Sequence, residues 1–157
     1  MTTIEMFSQS GPAGLIRRLH GWMAAIPYPA VALVARLSMA GVFWRSGQTK
    51  VEGWRVADSA IELFRTEYQL PLLDPVLAAH LAAFAEHALP ALLAVGLATR
   101  FAALALLVMT LIIQIFVYPD AWPTHGTWAA CFLILMAHGS GRLSMDWLLD
   151  RQLRKQS

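Results

Sequence analysis

Apolar positions fall in long unbroken blocks along this chain, not in the short alternations of a soluble fold. Four such runs cover residues 27–46, 75–97, 101–118 and 122–138. Each is near the ~20 residues a helix needs to cross hydrocarbon, the last two being short. A core helix of a soluble domain rarely runs so far without a polar face. The pattern predicts an all-α fold: a polytopic membrane four-helix bundle, one domain over residues 1–157, with short interfacial helices beside it.

Two polar-rich segments carry the interfacial helices. Leu15, Leu19, Trp22 and Ile26 share one helical face, and Arg17 and Arg18 lie off it. That arrangement suits a helix lying on the inner membrane surface. Ser59 and Glu62 form a capping-box pattern that opens a helix up to about Tyr68. Ile61, Phe64 and Tyr68 would turn toward the bundle. The joints agree with the spans. Ala98, Thr99 and Arg100 make a tight hairpin, and residues 119–123 a short turn with Trp122 at the interface. Gly139 and Gly141 end the last run, and Ser144 caps a tail helix with Asp146 in its first turn.

Composition moves the reading the same way. The chain is 57% hydrophobic and 14% charged, against about 25% charged in a typical soluble domain. A net charge of +2, without interleaved aromatic and basic residues, excludes a nucleic-acid partner. The single cysteine, Cys131, can close no disulfide within the chain. The first 26 residues are too long for the basic start of a signal peptide, and the apolar run after them contains Arg36. The N-terminus is therefore expected to be retained. Basic residues set the orientation. With both termini inside, Arg17, Arg18, Arg100, Arg142, Arg151, Arg154 and Lys155 are cytoplasmic, against Arg45, Lys50, Arg55 and Arg65 outside. The expectation is N-in and C-in.

The chemistry lies in the charges inside the runs. Arg36 is the tenth residue of the first run and Glu86 the twelfth of the second. A lone charge at mid-membrane costs about 2.5–3.5 kcal/mol on insertion scales. Matched depth therefore predicts an Arg36–Glu86 ion pair, with Ala32 and Ala40 letting the second helix approach. Pro90, four residues after Glu86, predicts a kink that frees the Glu86 carbonyl. Thr110, Gln114 and Tyr118 make a polar stripe on the third run, and His125 and Trp128 follow on the fourth. A pocket lined by Arg36, Glu86, Gln114 and Trp128 is one reading; hydrogen bonds that only tie the bundle together are the other. Lys50 and His87 complete the set of candidates for ligand binding or ion pairing. His80 and His87 are seven residues apart, about 10.5 Å along a helix, too far to share an ion, so no metal site is expected. There is no paired cysteine, Ser-His-Asp signature or glycine-rich phosphate loop. No complete catalytic centre is visible, and an enzymatic role reaches at most to a membrane subunit of an oxidoreductase.

These residues resemble the DoxX family of small four-helix membrane proteins. The resemblance runs over most of residues 35–149. It includes the Arg36 run ending in "FWRSGQTK", with Gly47 and Lys50, then Glu86, "VGLATRFAALAL" and "GSGRLSMD". The chain departs from the family at "HALPALL", where a glycine-rich run often follows the glutamate. The resemblance implies a four-helix bundle in the bacterial inner membrane. Relatives include a subunit of thiosulfate:quinone oxidoreductase, and others associate with sulfur or oxidative-stress proteins. A subset sharing the longer pattern is encoded beside enzymes that modify small metal-binding peptides. On this resemblance the chain is expected to be a redox-linked membrane component that binds a quinone-like molecule, with Phe43 and Trp128 packing on its ring. The alternatives are an anchor or interaction protein, and a small transporter. Membrane lipid and either a protein partner or a second copy are the implied partners.

Overall fold

The computed structural model describes residues 12–156. Residues 1–11, part of the segment expected to be retained, and Ser157 lie outside the described residues. Helix α1 (Pro12–Ala24) keeps Leu15, Leu19 and Trp22 exposed, with Ile26 just beyond it. Pro27, in extended backbone at φ −73° and ψ 132°, breaks the helical path. Helix α2 (Tyr28–Gln48) leaves at 60° to α1.

After α2 the chain makes an excursion before returning. Strands β1 (Val51–Glu52) and β2 (Arg55–Val56) form a minimal antiparallel hairpin, Val51 opposite Val56. Its turn uses Gly53 at φ 62° and holds Trp54 fully exposed at the tip. Helix α3 (Asp58–Leu63) follows and runs into a π-helical turn, Phe64–Tyr68. The expected capping box is not used. The Ala57 amide is already bonded to the Lys50 carbonyl at 3.0 Å, so hairpin closure starts the helix at Asp58 and leaves Ser59 inside its first turn. Ile61, Phe64 and Tyr68 do turn toward the bundle, packing around Ala78 and Ala79.

Helix α4 (Pro75–Val95) starts from Asp74, whose carboxylate accepts from the Val76 and Leu77 amides, with Pro75 pre-set for the first turn. It stops at Gly96, φ 71°. Helix α5 (Thr99–Ile112) continues into a second π-helical turn, Ile113–Val117. Helix α6 (Trp122–His138) follows a 3₁₀ turn, Pro119–Ala121, and α7 (Met145–Leu153) closes the described chain. Gly139 and Gly141, at φ 81° and 73°, end α6 as expected, and Ser144 caps α7 by accepting from the Trp147 amide. The Asp146 carboxylate reaches elsewhere, to the Ala98 and Thr99 amides that open α5. It thereby ties the tail to the α4–α5 hairpin.

The four long helices close into a ring, α2 against α4 and α6, and α5 against α4 and α6. Ala32, Ala35, Ala40, Ala102 and Ala103 stand among the larger Met39, Phe43, Leu93, Leu106, Phe132 and Leu135 in the core. Small residues at these contacts let the backbones approach, which is how helices gain packing energy in lipid. Helix α4, and α5 with its π turn over Thr99–Val117, are each long and apolar enough to cross a membrane; α1 and α2 meet that test only together, across their bend. Helix α6, with 17 residues, is shorter than a full ~20-residue span. The chain is a helical membrane protein.

Candidate functional site

The expected Arg36–Glu86 pair is not formed. Glu86 instead meets Lys50, Nζ to Oε2 at 2.9 Å, with both side chains about 5% exposed or less. Arg36 turns to the opposite end of the bundle. Its two terminal nitrogens donate to the carbonyls of Ser140 and Leu143, at 2.9 and 2.8 Å. The reason is register. Gly47 lies against the Glu86 carbonyl, and Gly96 lies against the Arg36 guanidinium. Glu86 is therefore level with the end of α2, while Arg36 is eleven residues, or about 16 Å, nearer its start. Counting inward from both run ends assumed that α2 and α4 are flush. They are not, because the excursion covers the first turns of α4 beyond the point where α2 stops.

Gly47 makes this contact possible. A Cβ there would come within 2.8 Å of His87 Cε1 and 3.0 Å of the Glu86 carbonyl oxygen. That carbonyl is the one deprived of its usual amide partner by Pro90. The helix is nevertheless not broken: α4 runs through the buried Pro90 as a single element. His87 is held by its own helix and by α2, through Nδ1 to the Ala83 carbonyl and Nε2 to Gln48 Nε2.

Lys50 and Glu86 meet mainly as charges. Lys50 Nζ also donates to Ser46 Oγ at 3.2 Å, so the ammonium is shared between the hydroxyl and Glu86 Oε2. A carboxylate held by one ammonium keeps lone pairs that can accept from a further donor. Glu86 and Ser46 form part of the wall of a cavity of about 550 Å³ in the half of the bundle that carries the excursion. The rest of the wall is almost wholly apolar and aromatic. Phe43 meets Trp128 edge-on at 5.5 Å, and Trp128 lies 5.0 Å from the ring of His125. Phe64, Tyr68 and both π-helical turns also contribute to it. Such turns recur at functional sites because they displace one helical residue from its packed position.

Of the sequence candidates, Glu86 and Trp128 line the cavity directly, and Lys50 stands behind Glu86. Gln114 does not line it: its amide donates to the Pro119 carbonyl and its oxygen meets His125 Nδ1 at 2.7 Å, so it orients the histidine that does. Arg36 is outside the cavity, and its Nε has no hydrogen-bond partner. The stripe of Thr110, Gln114 and Tyr118 divides. Thr110 bonds back to the Leu106 carbonyl, and the Tyr118 hydroxyl donates to Glu67 of the excursion. His80 and His87 each bond the carbonyl one turn back on α4. Ser46, Phe64 and Tyr68 escaped sequence reasoning as cavity residues. Phe64 and Tyr68 were expected only to face the bundle, and the signal for Ser46 was that, with Gly47 and Gln48, it ends an apolar run with polar and small side chains.

Fold and site together define a helical membrane protein that encloses a largely apolar cavity with a buried ion pair at its wall. The DoxX family model matches residues 31–119, more than half of the chain, and the chain belongs to the DoxX family. The match takes in most of α2, the excursion, α4 and α5, and ends before α6. No curated protein and no solved structure gives a significant match.

Proposed function

We propose that this DoxX protein is a membrane component of a redox, oxidative-stress or sulfur-linked system, and that its cavity holds a quinone-like molecule. The observation that carries this reading is the cavity itself: aromatic walls suited to a flat ring, beside a hydroxyl and a buried ion pair that can bond its polar groups. Phe43 and Trp128 would pack on the ring. The Ser46 hydroxyl or the Lys50 ammonium would donate to a carbonyl of the oxidised ring, and Glu86 would accept from a hydroxyl of the reduced one. Four passes through the bacterial inner membrane, with both termini inside and the excursion outside, complete the proposal. Arg36 on this reading is a structural residue that fastens α2 to the tail.

Titration of the purified protein with menadione, a tail-less naphthoquinone, tests it. Saturable quenching of tryptophan emission is expected. It should shrink in Trp128→Phe, and the affinity for the reduced form, menadiol, whose hydroxyl can donate to the carboxylate, should fall about tenfold in Glu86→Gln, the worth of one hydrogen bond to a charged group. Quenching that never saturates, or that is the same in both variants, refutes the reading.

A second reading, a membrane anchor for a partner protein or a second copy, is favoured by a separate observation. Trp54 and Leu72 stand out from the excursion with 104% and 93% of their surface exposed. Loss of a co-purifying protein in Trp54→Ser would support it.

A further inference from the structure

The cavity is not equally closed on all sides. None of the side chains that α2 and α6 contribute to it is exposed; Phe43 and His125 are buried. The lining side chains within the bundle that remain exposed belong to the other two helices. They are Leu81 and Phe84 of α4, at 51% and 73%, and Val108 and Ile112 of α5, at 47% and 38%. These helices run antiparallel from the hairpin at Gly96 and Ala98. Residues equally far from that hairpin share a level, so Val108, ten residues beyond Ala98, stands level with Glu86, ten before Gly96. The opening between α4 and α5 therefore begins beside the buried carboxylate and is rimmed by apolar side chains.

Alanines make the gap. Ala82, Ala85 and Ala105 line the cavity on either side of it. Residues this small usually mark where two helices touch; here they border open space. The π-helical turn at Ile113–Val117 begins next to Ile112, at the same place. The end of the cavity toward the excursion is latched instead. The Tyr118 hydroxyl donates to Glu67, and the Tyr68 ring meets Tyr118 edge-on at 6.0 Å. At that end the rim, with Tyr118 42% and Leu73 41% exposed, is tied together by polar contacts, whereas the seam between α4 and α5 is rimmed by apolar side chains.

We propose that the seam between α4 and α5 is a lateral entrance, and that the site takes an amphiphile dissolved in the bilayer. Its polar ring head would lie against Glu86, and its hydrocarbon tail would leave between Leu81 and Phe84 on one side and Val108 and Ile112 on the other. This rests on the quinone-type reading above and adds to it the tail and the route of entry. A cavity of about 550 Å³ suits a ring head with its substituents. A long isoprenoid tail would extend through the seam, where lipid replaces protein as its neighbour.

The test compares two probes in phosphatidylcholine nanodiscs, menadione and a four-isoprene menaquinone with the same head, in wild type and in Val108→Trp. Position 108 is half exposed to lipid, so the larger side chain can block the seam without displacing the core. Ile112→Trp serves as an independent second block. Wild type should bind the tailed probe at least tenfold more tightly than menadione, after correction for partition into empty nanodiscs. Either block should remove most of that advantage, read as the ratio of the two affinities within each variant. If menadione binds but the tailed probe gains nothing, or keeps its advantage in both blocked variants, the lateral entrance is wrong and the quinone reading stands. If neither probe binds wild type, the quinone reading falls and the entrance with it.

Discussion

The buried pair of Lys50 and Glu86 offers the sharpest energetic test. Both side chains are 5% exposed or less, and the charged atoms are 2.9 Å apart. Their net worth is small, because desolvating two charges offsets most of their attraction. Their interdependence is large. Lys50→Met leaves a buried carboxylate with only the Ser46 hydroxyl near it, and Glu86→Met leaves a buried ammonium in the same position. Each single change is expected to cost about 3–5 kcal/mol. For a chain of this size that is about 6–20 °C in Tm, at about 2–4 °C per kcal/mol. The double variant removes both desolvation costs and fills the space with side chains of similar volume. It should return to within about 1 kcal/mol of wild type, or exceed it. If the single changes add, the double should lose about 6–10 kcal/mol, so the two expectations are well separated. The assay is thermal unfolding of the detergent-solubilised protein, followed by the loss of its monodisperse elution. Single variants that unfold within 2 °C of wild type would refute the buried-pair description. A double variant as unstable as the sum of the singles would refute the coupling. Menadione binding in a stable double variant then separates the roles, because a pair that only holds the bundle would leave binding intact.

Three further expectations come from contacts elsewhere in the bundle. Gly47→Ala places a Cβ 3.0 Å from the Glu86 carbonyl oxygen, a backbone atom that moves only with its helix; it should destabilise by about 1–3 kcal/mol, seen as a lower Tm, whereas Gly41→Ala meets nothing within 4 Å and should be neutral or better. Arg36→Lys keeps the charge but cannot span the Ser140 and Leu143 carbonyls with a fork of donors; a loss of about 1.5–3 kcal/mol is expected, the worth of one bond to a charged group, and unchanged stability would show that one carbonyl contact suffices. For sidedness, a reporter inserted near Gln69 should be active only in its exported form, and one placed after residue 156 only in its cytoplasmic form; the reverse result would invert the orientation.

Much of this protein was legible without coordinates because lipid is a simple solvent. A membrane-spanning helix must satisfy its backbone internally and present apolar side chains, so the lengths and order of the four runs follow from hydropathy alone. The punctuation was equally readable. Gly139 and Gly141 end α6 in the left-handed region, and Ser144 caps α7, because these are local events that depend on neighbours in sequence. The importance of Glu86 was also visible, since a charge inside an apolar run demands a partner.

Which partner it takes was decided only by tertiary structure. Hydropathy locates the two ends of a span but not the height at which one helix stops against another. The excursion from Val51 to Tyr68 lies over the start of α4, which offsets α2 by about three turns and gives Glu86 to Lys50. Arg36, seen as that partner, fastens the tail through two carbonyls that no spacing rule would have singled out. The cavity has the same origin. Its residues come from α2, the excursion, α4, α5 and α6, up to 86 positions apart, and apart from Glu86 few stand out within their own helix. Local sequence determines which face of each helix is apolar. The offset between helices, set by loops and by glycines such as Gly47, determines where those faces meet and where they leave a space.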